Sequence, residues 1–225
     1  MYKVIGIDEA GKGPVLGSMF IGFSIINLQS LKDLNSYQDK LKELGVTDSK
    51  KLTPKRRNFI YNQLKDNMDM KYAQLTPALI DTNNTKGGKL NQLEIDAIIQ
   101  ILEVEEPQLI MIDALTANPE KFGEEIKKHL KFDCKIIAEN KADVKYEVVG
   151  AASIIAKELR EQELSQIKQN IKLDCGSGYP ADPKTKKFLE EHHDNKEFDF
   201  IFRKSWETYK KISKTSNKEK SLMDF

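Results

Sequence analysis

Cysteine is scarce in this chain of 225 residues, and the two present, Cys134 and Cys175, lie far apart with no CxxC spacing. That isolation argues against a zinc site and fits free thiols in a reducing compartment. The histidines are as sparse, and His129, His192 and His193 make no HxxxH or HExxH pattern. An excess of charge of one sign is also missing. Thirty-six Lys and Arg stand against 35 Asp and Glu, for a formal net charge of +1. No global basic field draws this protein to nucleic acid, so any contact with phosphates must come from local clusters. No stretch approaches the roughly 18 apolar residues that span a bilayer. The opening residues, 1–14, lack the apolar region of a secretory signal. A cytoplasmic location is expected. The chain shows no internal repeat and no interdomain linker.

The apolar and charged fractions, 39% and 32%, are those of a globular domain with a sizeable core. Residues 2–7 read as a short apolar strand, and 15–26 as a second, largely buried one. A third is expected at 72–76. Thr53 followed by Pro54 marks a helix start, with an N-cap hydroxyl and proline at the first helical position. Leu90, Leu93, Ala97, Ile98, Ile101 and Leu102 have helical spacing. Residues 109–112 and 135–138 are further strands, and 149–167 is a helix. Strands alternating with helices in the second half imply parallel pairing there, whereas the first strands suit an antiparallel meander. After a loop at 176–180, short helices are expected near 184–192 and 205–212, then a Lys- and Ser-rich flexible segment. The expected fold is α/β, a mixed sheet flanked by helices.

Acidic residues stand where apolar strands stop: Asp8 with Glu9, Asp113, and Asp143 just beyond the next strand. Side chains at strand ends of an α/β sheet project into a crevice. Neighbours in a strand face opposite sides, so Asp8 and Glu9 share one site only where the strand breaks, and Gly11 and Gly13 supply a break. Clustered carboxylates repel one another unless a cation lies among them, and oxygen ligands suit Mg²⁺ or Mn²⁺. A single aspartate at a strand end is more often an N-cap or a turn residue. Four such acids shift the balance toward a metal site without settling it. The glycine loop from Gly11 to Gly17 invites a reading as a dinucleotide fingerprint. Its third glycine falls one residue late, no acid ends a second strand about 20 positions on, and Asp8-Glu9 would oppose a pyrophosphate. A P-loop is excluded by the missing Gly-Lys-Ser/Thr terminus.

Several blocks resemble ribonuclease HII, the type 2 ribonuclease H. They are Gly6-Ile7-Asp8-Glu9-Ala10-Gly11-Lys12-Gly13-Pro14, Asp48-Ser49-Lys50-Lys51-Leu52-Thr53 and Ala138-Glu139-Asn140-Lys141-Ala142-Asp143. Ala151-Ala152-Ser153-Ile154-Ile155-Ala156-Lys157 and Gly176-Ser177-Gly178-Tyr179-Pro180-Ala181-Asp182-Pro183 match as well. The last block, with Arg203-Lys204-Ser205-Trp206, is similar to the archaeal branch. The matches run in family order from residue 3 to about 210, nearly the whole chain.

The resemblance implies a ribonuclease H-like fold, with a five-stranded mixed sheet and a small C-terminal helical extension. It places a catalytic domain over 1–212, with its C-terminal helices from about 183, and a flexible tail over 213–225. It implies that Asp8, Glu9, Asp113 and Asp143 are catalytic and hold two Mg²⁺ or Mn²⁺ ions. The substrates would be RNA–DNA hybrids and duplex DNA with embedded ribonucleotides, cut to 5′-phosphate and 3′-hydroxyl ends. Discrimination of RNA would rest on the 2′-hydroxyl, through Gly11, Lys12, Gly13 and Tyr179. Lys12 departs from the family arginine, and it lacks the planar two-point hydrogen bond of a guanidinium. Lys50, Lys51, Lys141, Lys184 and Arg203 are the candidate phosphate contacts. Leu222 and Phe225 resemble a shortened clamp-binding box, with Glu219 where glutamine is usual. A monomer is expected. The alternatives are a nucleotide-cofactor enzyme, disfavoured by the loop spacing, and an inactive nucleic-acid-binding module, disfavoured by the presence of all four acids.

Overall fold

The computed structural model describes residues 1–114 and 116–223, with the backbone alone described over 216–223. In chain order the elements are β1 (Tyr2–Ala10), β2 (Met19–Leu28), α1 (Leu34–Leu44), α2 (Pro54–Asn67), β3 (Asp69–Leu75), α3 (Pro77–Thr85) and α4 (Leu90–Glu105). They continue with β4 (Leu109–Asp113), α5 (Pro119–His129), β5 (Lys135–Glu139), α6 (Ala142–Lys145), α7 (Glu147–Ile171), α8 (Pro183–His192) and α9 (Glu207–Met223). Short 3₁₀ turns fill Leu31–Asp33 and Lys196–Ile201. Four helices begin the same way: Thr53, Thr76, Asn118 and Asp182 each cap a backbone N–H with proline following. The side chain satisfies an orphan donor while proline presets the first helical φ. No described helix is long and apolar enough to cross a membrane.

The chain divides into two compact units. The first comprises residues 1–10, 20–74 and 94–159. Its five-stranded sheet has the order β3-β2-β1-β4-β5, with β1 antiparallel to β2 and parallel to β4, and β4 parallel to β5. This is the expected mixed sheet of a ribonuclease H-like α/β fold. Strand alternation sorts the residues of β1: Val4, Gly6 and Asp8 share one face, and Ile5 and Ile7 take the other. On the first face Val4, Ile26, Leu28, Leu109 and Met111 pack with Val148, Val149, Ala151, Ile154 and Ile155 of α7. On the opposite face Gly123 of α5 lies against Ala138 and Ile136.

Two glycines set the distance between α7 and the sheet. A Cβ on Gly6 would fall well inside contact with the Val148 carbonyl oxygen, and one on Gly22 would strike that of Ala152. Ser24, paired with Gly6 across the strands, donates its hydroxyl to Val148 O at 2.5 Å. The helix backbone therefore lies directly on β1 and β2, which brings the α7 side chains within reach of Asp8.

The second unit comprises residues 11–19, 75–93 and 160–225. Val15 and Leu16 join Ile167, Cys175, Phe188, Leu189, Ile201 and Phe202 in its core. This explains why the strand expected at 15–26 begins only at Met19. Gly17 has a φ of +77°, and Leu16 makes an isolated bridge to Phe202, so residues 15–18 serve this core rather than extend β2. The helix expected near 205–212 continues to Met223 in α9. Asp81 of α3 accepts the backbone N–H groups of Lys204 and Ser205, at 2.7 and 2.9 Å, just before α9.

Gly6→Ala tests the close approach of α7. Overpacking against a backbone carbonyl that cannot move aside should cost about 3 kcal/mol, read as a lowered midpoint in denaturant at unchanged slope. An unchanged midpoint would show that the helix is free to shift.

Candidate active site

Each acid of the site is placed by a different local rule. Register aligns Ile7 of β1 with Ile112 of β4, so Asp8 and Asp113 occupy the next rung on the same face. Asp113 is the last residue of β4, and the chain leaves the sheet there. Beyond β5, Lys141 adopts a left-handed φ of 62° and turns the backbone into α6, whose first turn carries Asp143. The three carboxylates converge, with one oxygen from each within 4.8 Å of the others. All three residues are buried.

Burial and mutual repulsion shape their acidity. The Asp8 carboxyl is pushed up to about 7, first by desolvation and then by the charges of Asp113 and Asp143, against a hydrogen bond from Ser153. Asp113 is raised by burial too, opposed by backbone N–H donors of Ala142 and Lys141 and by the charge of Lys50. The Ala142 N–H donates to Asp113 Oδ1 at 2.9 Å. A buried triad of this kind is a ligand set for a hard divalent cation such as Mg²⁺ or Mn²⁺, which would relieve the repulsion.

Glu9 does not belong to the convergent set. Strand β1 runs regularly through Ala10, with Glu9 opposite Ile21, so the break offered by the glycines comes too late to bring it beside Asp8. The alternation directs Glu9 to the face opposite Asp8. Its backbone N–H donates to Asp8 Oδ1 at 2.8 Å. Glu139, paired with Asp113 across β4 and β5, is an acid at a strand end without a place in the triad. Lys145 Nζ at 2.6 Å and the Tyr146 hydroxyl at 3.0 Å engage its carboxylate.

A polar chain behind the triad was not assigned from the sequence. Ser153 bonds Asp8. Its hydroxyl shares a 2.8 Å hydrogen bond with that of Ser49, which also accepts from Lys157 Nζ. Burial pulls the Lys157 ammonium down, and Asp8 and Asp143 act in the opposite sense. Ser153 and Lys157 are four apart on α7, a spacing that puts both on one helix face and was available in the sequence. Lys50 and Lys141 are exposed, and both act on Asp113, Lys50 by charge and Lys141 through its backbone N–H. Lys51 is exposed and 3.8 Å from Asp48.

The second unit carries the glycine loop and Tyr179. Gly11 has a φ of +88°, and a Cβ there would meet the Ser18 carbonyl and the Arg160 side chain. The Tyr179 ring, 43% exposed, lies 3.6 Å from where a Gly13 Cβ would sit, and the Arg160 guanidinium stacks 4.9 Å from its centre. Arg160, absent from the sequence-derived set, also donates to Ser177 O at 2.5 Å. Arg203 requires a correction. Expected to contact phosphate, it is 0% exposed. It donates through Nε to Gly17 O at 2.8 Å and through Nη1 to Lys12 O at 3.3 Å, and Trp206 covers its guanidinium. Burial and the neighbouring Arg160 pull the pKa of its guanidinium down to about 10. Arg203 thus supports the loop from beneath. Lys184, another phosphate candidate, pairs with Asp174 at 2.7 Å. Of the terminal pair, Phe225 and the Leu222 side chain lie outside the described residues.

The fold and the buried carboxylates are those of a ribonuclease H-type endonuclease. The model of the family described as ribonuclease HII matches residues 5–209. The ribonuclease HII of Pyrococcus horikoshii is 40% identical over 224 residues, covering 99% of this chain and 98% of that protein. The crystal structure of ribonuclease H2 from Pyrococcus horikoshii OT3 superposes with a TM-score of 0.83 over 95% of this chain and 98% of its own. Ribonuclease HII in the PCNA complex from Archaeoglobus fulgidus is 32% identical, with a TM-score of 0.73 and coverage of 84% and 85%. This chain belongs to the ribonuclease HII family.

The raised pKa of Asp8 fixes a sign. A carboxyl raised from 3.8 to about 7 in the fold keeps a proton that the unfolded chain has lost. The metal-free protein therefore loses stability as pH rises between those values. Asp8→Asn should raise the melting temperature of the metal-free protein at pH 8 and flatten its decline above pH 4. A lowered melting temperature at pH 8 would contradict the repulsion.

Proposed function

We propose that the chain hydrolyses the RNA strand of RNA–DNA hybrids and cuts 5′ of ribonucleotides embedded in duplex DNA, leaving 5′-phosphate and 3′-hydroxyl ends. The observation that carries this reading is the buried triad Asp8, Asp113 and Asp143, with oxygens within 4.8 Å of one another. In this reading the triad and Glu9 are the catalytic acids and hold two Mg²⁺ or Mn²⁺ ions. Such ions, when bound, activate the attacking water and stabilise charge on the leaving 3′ oxygen. The protein's own part is positioning and electrostatics. Ser153 orients Asp8, and the N–H groups that precede Asp143 orient Asp113. Glu9 contributes from the far side of β1, so its side chain must reach around the strand end. Glu9→Gln should therefore cost less than loss of a triad member.

Gly11 and Gly13 offer backbone groups to the 2′-hydroxyl, and Tyr179 presents its ring to the sugar. Lys12 stands where the family arginine does and supplies charge without the bidentate fork. Lys50, Lys51 and Lys141 take phosphates. Arg203 positions the loop through Lys12 O and Gly17 O rather than touching the substrate. The protein acts as a monomer. Since the Archaeoglobus fulgidus relative was solved as a complex with PCNA, the C-terminal Leu222 and Phe225 are assigned to docking on a replication sliding clamp. A short segment of this kind orders on binding with both apolar side chains in one pocket.

Incubation with a duplex holding one ribonucleotide tests the activity. Cleavage 5′ of the ribonucleotide is expected with Mg²⁺ or Mn²⁺ and none with chelator. Asp113→Asn should abolish cleavage without loss of fold, and near-normal turnover of that variant in saturating Mn²⁺ would refute the assignment. Tyr179→Ala should lose about tenfold or more on this substrate, because one stacking contact is worth roughly 1–3 kcal/mol. Its binding to plain DNA should hardly change. For the clamp, calorimetry with a peptide of residues 214–225 should show binding that Leu222→Ala with Phe225→Ala removes. Absence of binding at high micromolar peptide would exclude the clamp role.

A further inference from the structure

The first unit carries one run of cations uninterrupted by acids. Residues 50–65 contain Lys50, Lys51, Lys55, Arg56, Arg57 and Lys65 with no Asp or Glu, in a chain whose net charge is only +1. Other surface lysines stand beside acids, as Lys128 does with Glu125, Lys131 with Glu103 and Lys145 with Glu139. Lys51 has a distant partner in Asp48 at 3.8 Å, and Arg57 turns inward to Glu158 at 4.0 Å. Arg56 meets no acid among the described residues and donates to the Leu44 carbonyl at 3.3 Å. Lys50, Lys55 and Arg56 are exposed.

An exposed aromatic shares the α2 face with two of these cations. Phe59, one turn beyond Lys55 and Arg56 on α2, is 50% exposed, with the Arg56 guanidinium 5.0 Å from the centre of its ring. Ile60, Tyr61 and Leu64 of the same helix are buried, so Phe59 lies on the outer face together with Lys55 and Arg56. The run of cations begins at Lys50, next in sequence to Ser49, whose hydroxyl lies 2.8 Å from that of Ser153 behind the triad. It thus starts, in sequence, beside the site where a phosphodiester would be cut.

We infer that the outer face of α2, with Lys55, Arg56 and Phe59, is a second contact for the nucleic acid, beyond the scissile phosphate. The inference rests on the function proposed above and adds where this chain grips its substrate. Lys55 and Arg56 neutralise two phosphates, and Phe59 packs on the sugars between them. Contacts with phosphate give affinity that falls steeply with salt, whereas an apolar contact does not. The two kinds of residue are thereby separable.

The test measures binding of the full chain to a fluorescent duplex by anisotropy, without divalent metal, across salt concentrations. Lys55→Ala with Arg56→Ala should lower the slope of log affinity against log salt by about 2, at roughly 0.9 per phosphate. The gap from wild type should then shrink about tenfold between about 50 and 200 mM salt. The exchanges Lys55→Arg and Arg56→Lys should keep the slope. Phe59→Ala should weaken binding by about threefold with the slope unchanged. Melting temperatures should fall by no more than about 2 °C, since these side chains lie on the surface and Arg56 gives up one long hydrogen bond. An unchanged slope in the double variant overturns the inference. So does polyglutamate competing with the duplex as strongly as unlabelled DNA, which would assign the face to an acidic protein. Because this binding is read without cleavage, it is independent of the ribonuclease assay. A wild-type chain that binds with these slopes but cuts nothing would sink the proposed function alone.

Discussion

Three carboxylates held within 4.8 Å in a buried setting repel one another, and the surrounding structure is organised to bear that repulsion. The cost is visible in Asp8, whose carboxyl holds its proton up to about 7. Part of the relief comes from within the protein. Ser153 and the Glu9 N–H bond Asp8, the turn into α6 gives Asp113 two backbone donors, and Lys50 and Lys157 lend charge from either side. The rest is left for a divalent cation, which replaces a proton at the cost of deprotonating the ligand.

That arrangement depends on two backbone features far simpler than the chemistry. Gly6 and Gly22 let α7 lie on the sheet, so Ser153 can reach Asp8. The parallel pairing of β1 with β4 sets two acids on one rung. A helix held farther off by two methyl groups would leave the same acids without their hydroxyl support. In the second unit the buried Arg203 has a comparable part for the glycine loop, tying Lys12 and Gly17 from below.

Much of this was legible in the sequence because strand ends are. Apolar runs stopping on Asp8 and Asp113 announced both the sheet and two of its three converging acids, and the order of motif blocks identified the family. What was not legible has physical reasons. Asp8 and Glu9 look alike in the sequence, but alternation separates neighbours as long as the strand continues, and it continues through Ala10, so the converging set holds Asp8 without Glu9. Arg203 sits in a motif that reads as a phosphate contact, and nothing local reveals that a basic residue will be wholly buried. Val15 and Leu16 read as strand because they are apolar, while their partners, such as Phe202, lie almost two hundred residues away. Helices α1 and α5 carry few apolar residues, and their charged background masks the amphipathic pattern. In the Lys-rich C-terminal segment, composition pointed to a flexible chain where the backbone forms α9.

The central claim is that the triad exchanges the proton held on Asp8 for a divalent cation. Titration calorimetry of Mn²⁺ into the protein, in two buffers of different ionisation enthalpy, measures that exchange directly. At pH 6 the account predicts release of close to one proton for the first ion bound, falling toward none at pH 8.5, with much weaker binding in Asp8→Asn. Binding of equal strength in that variant, with no proton released at pH 6, would contradict it.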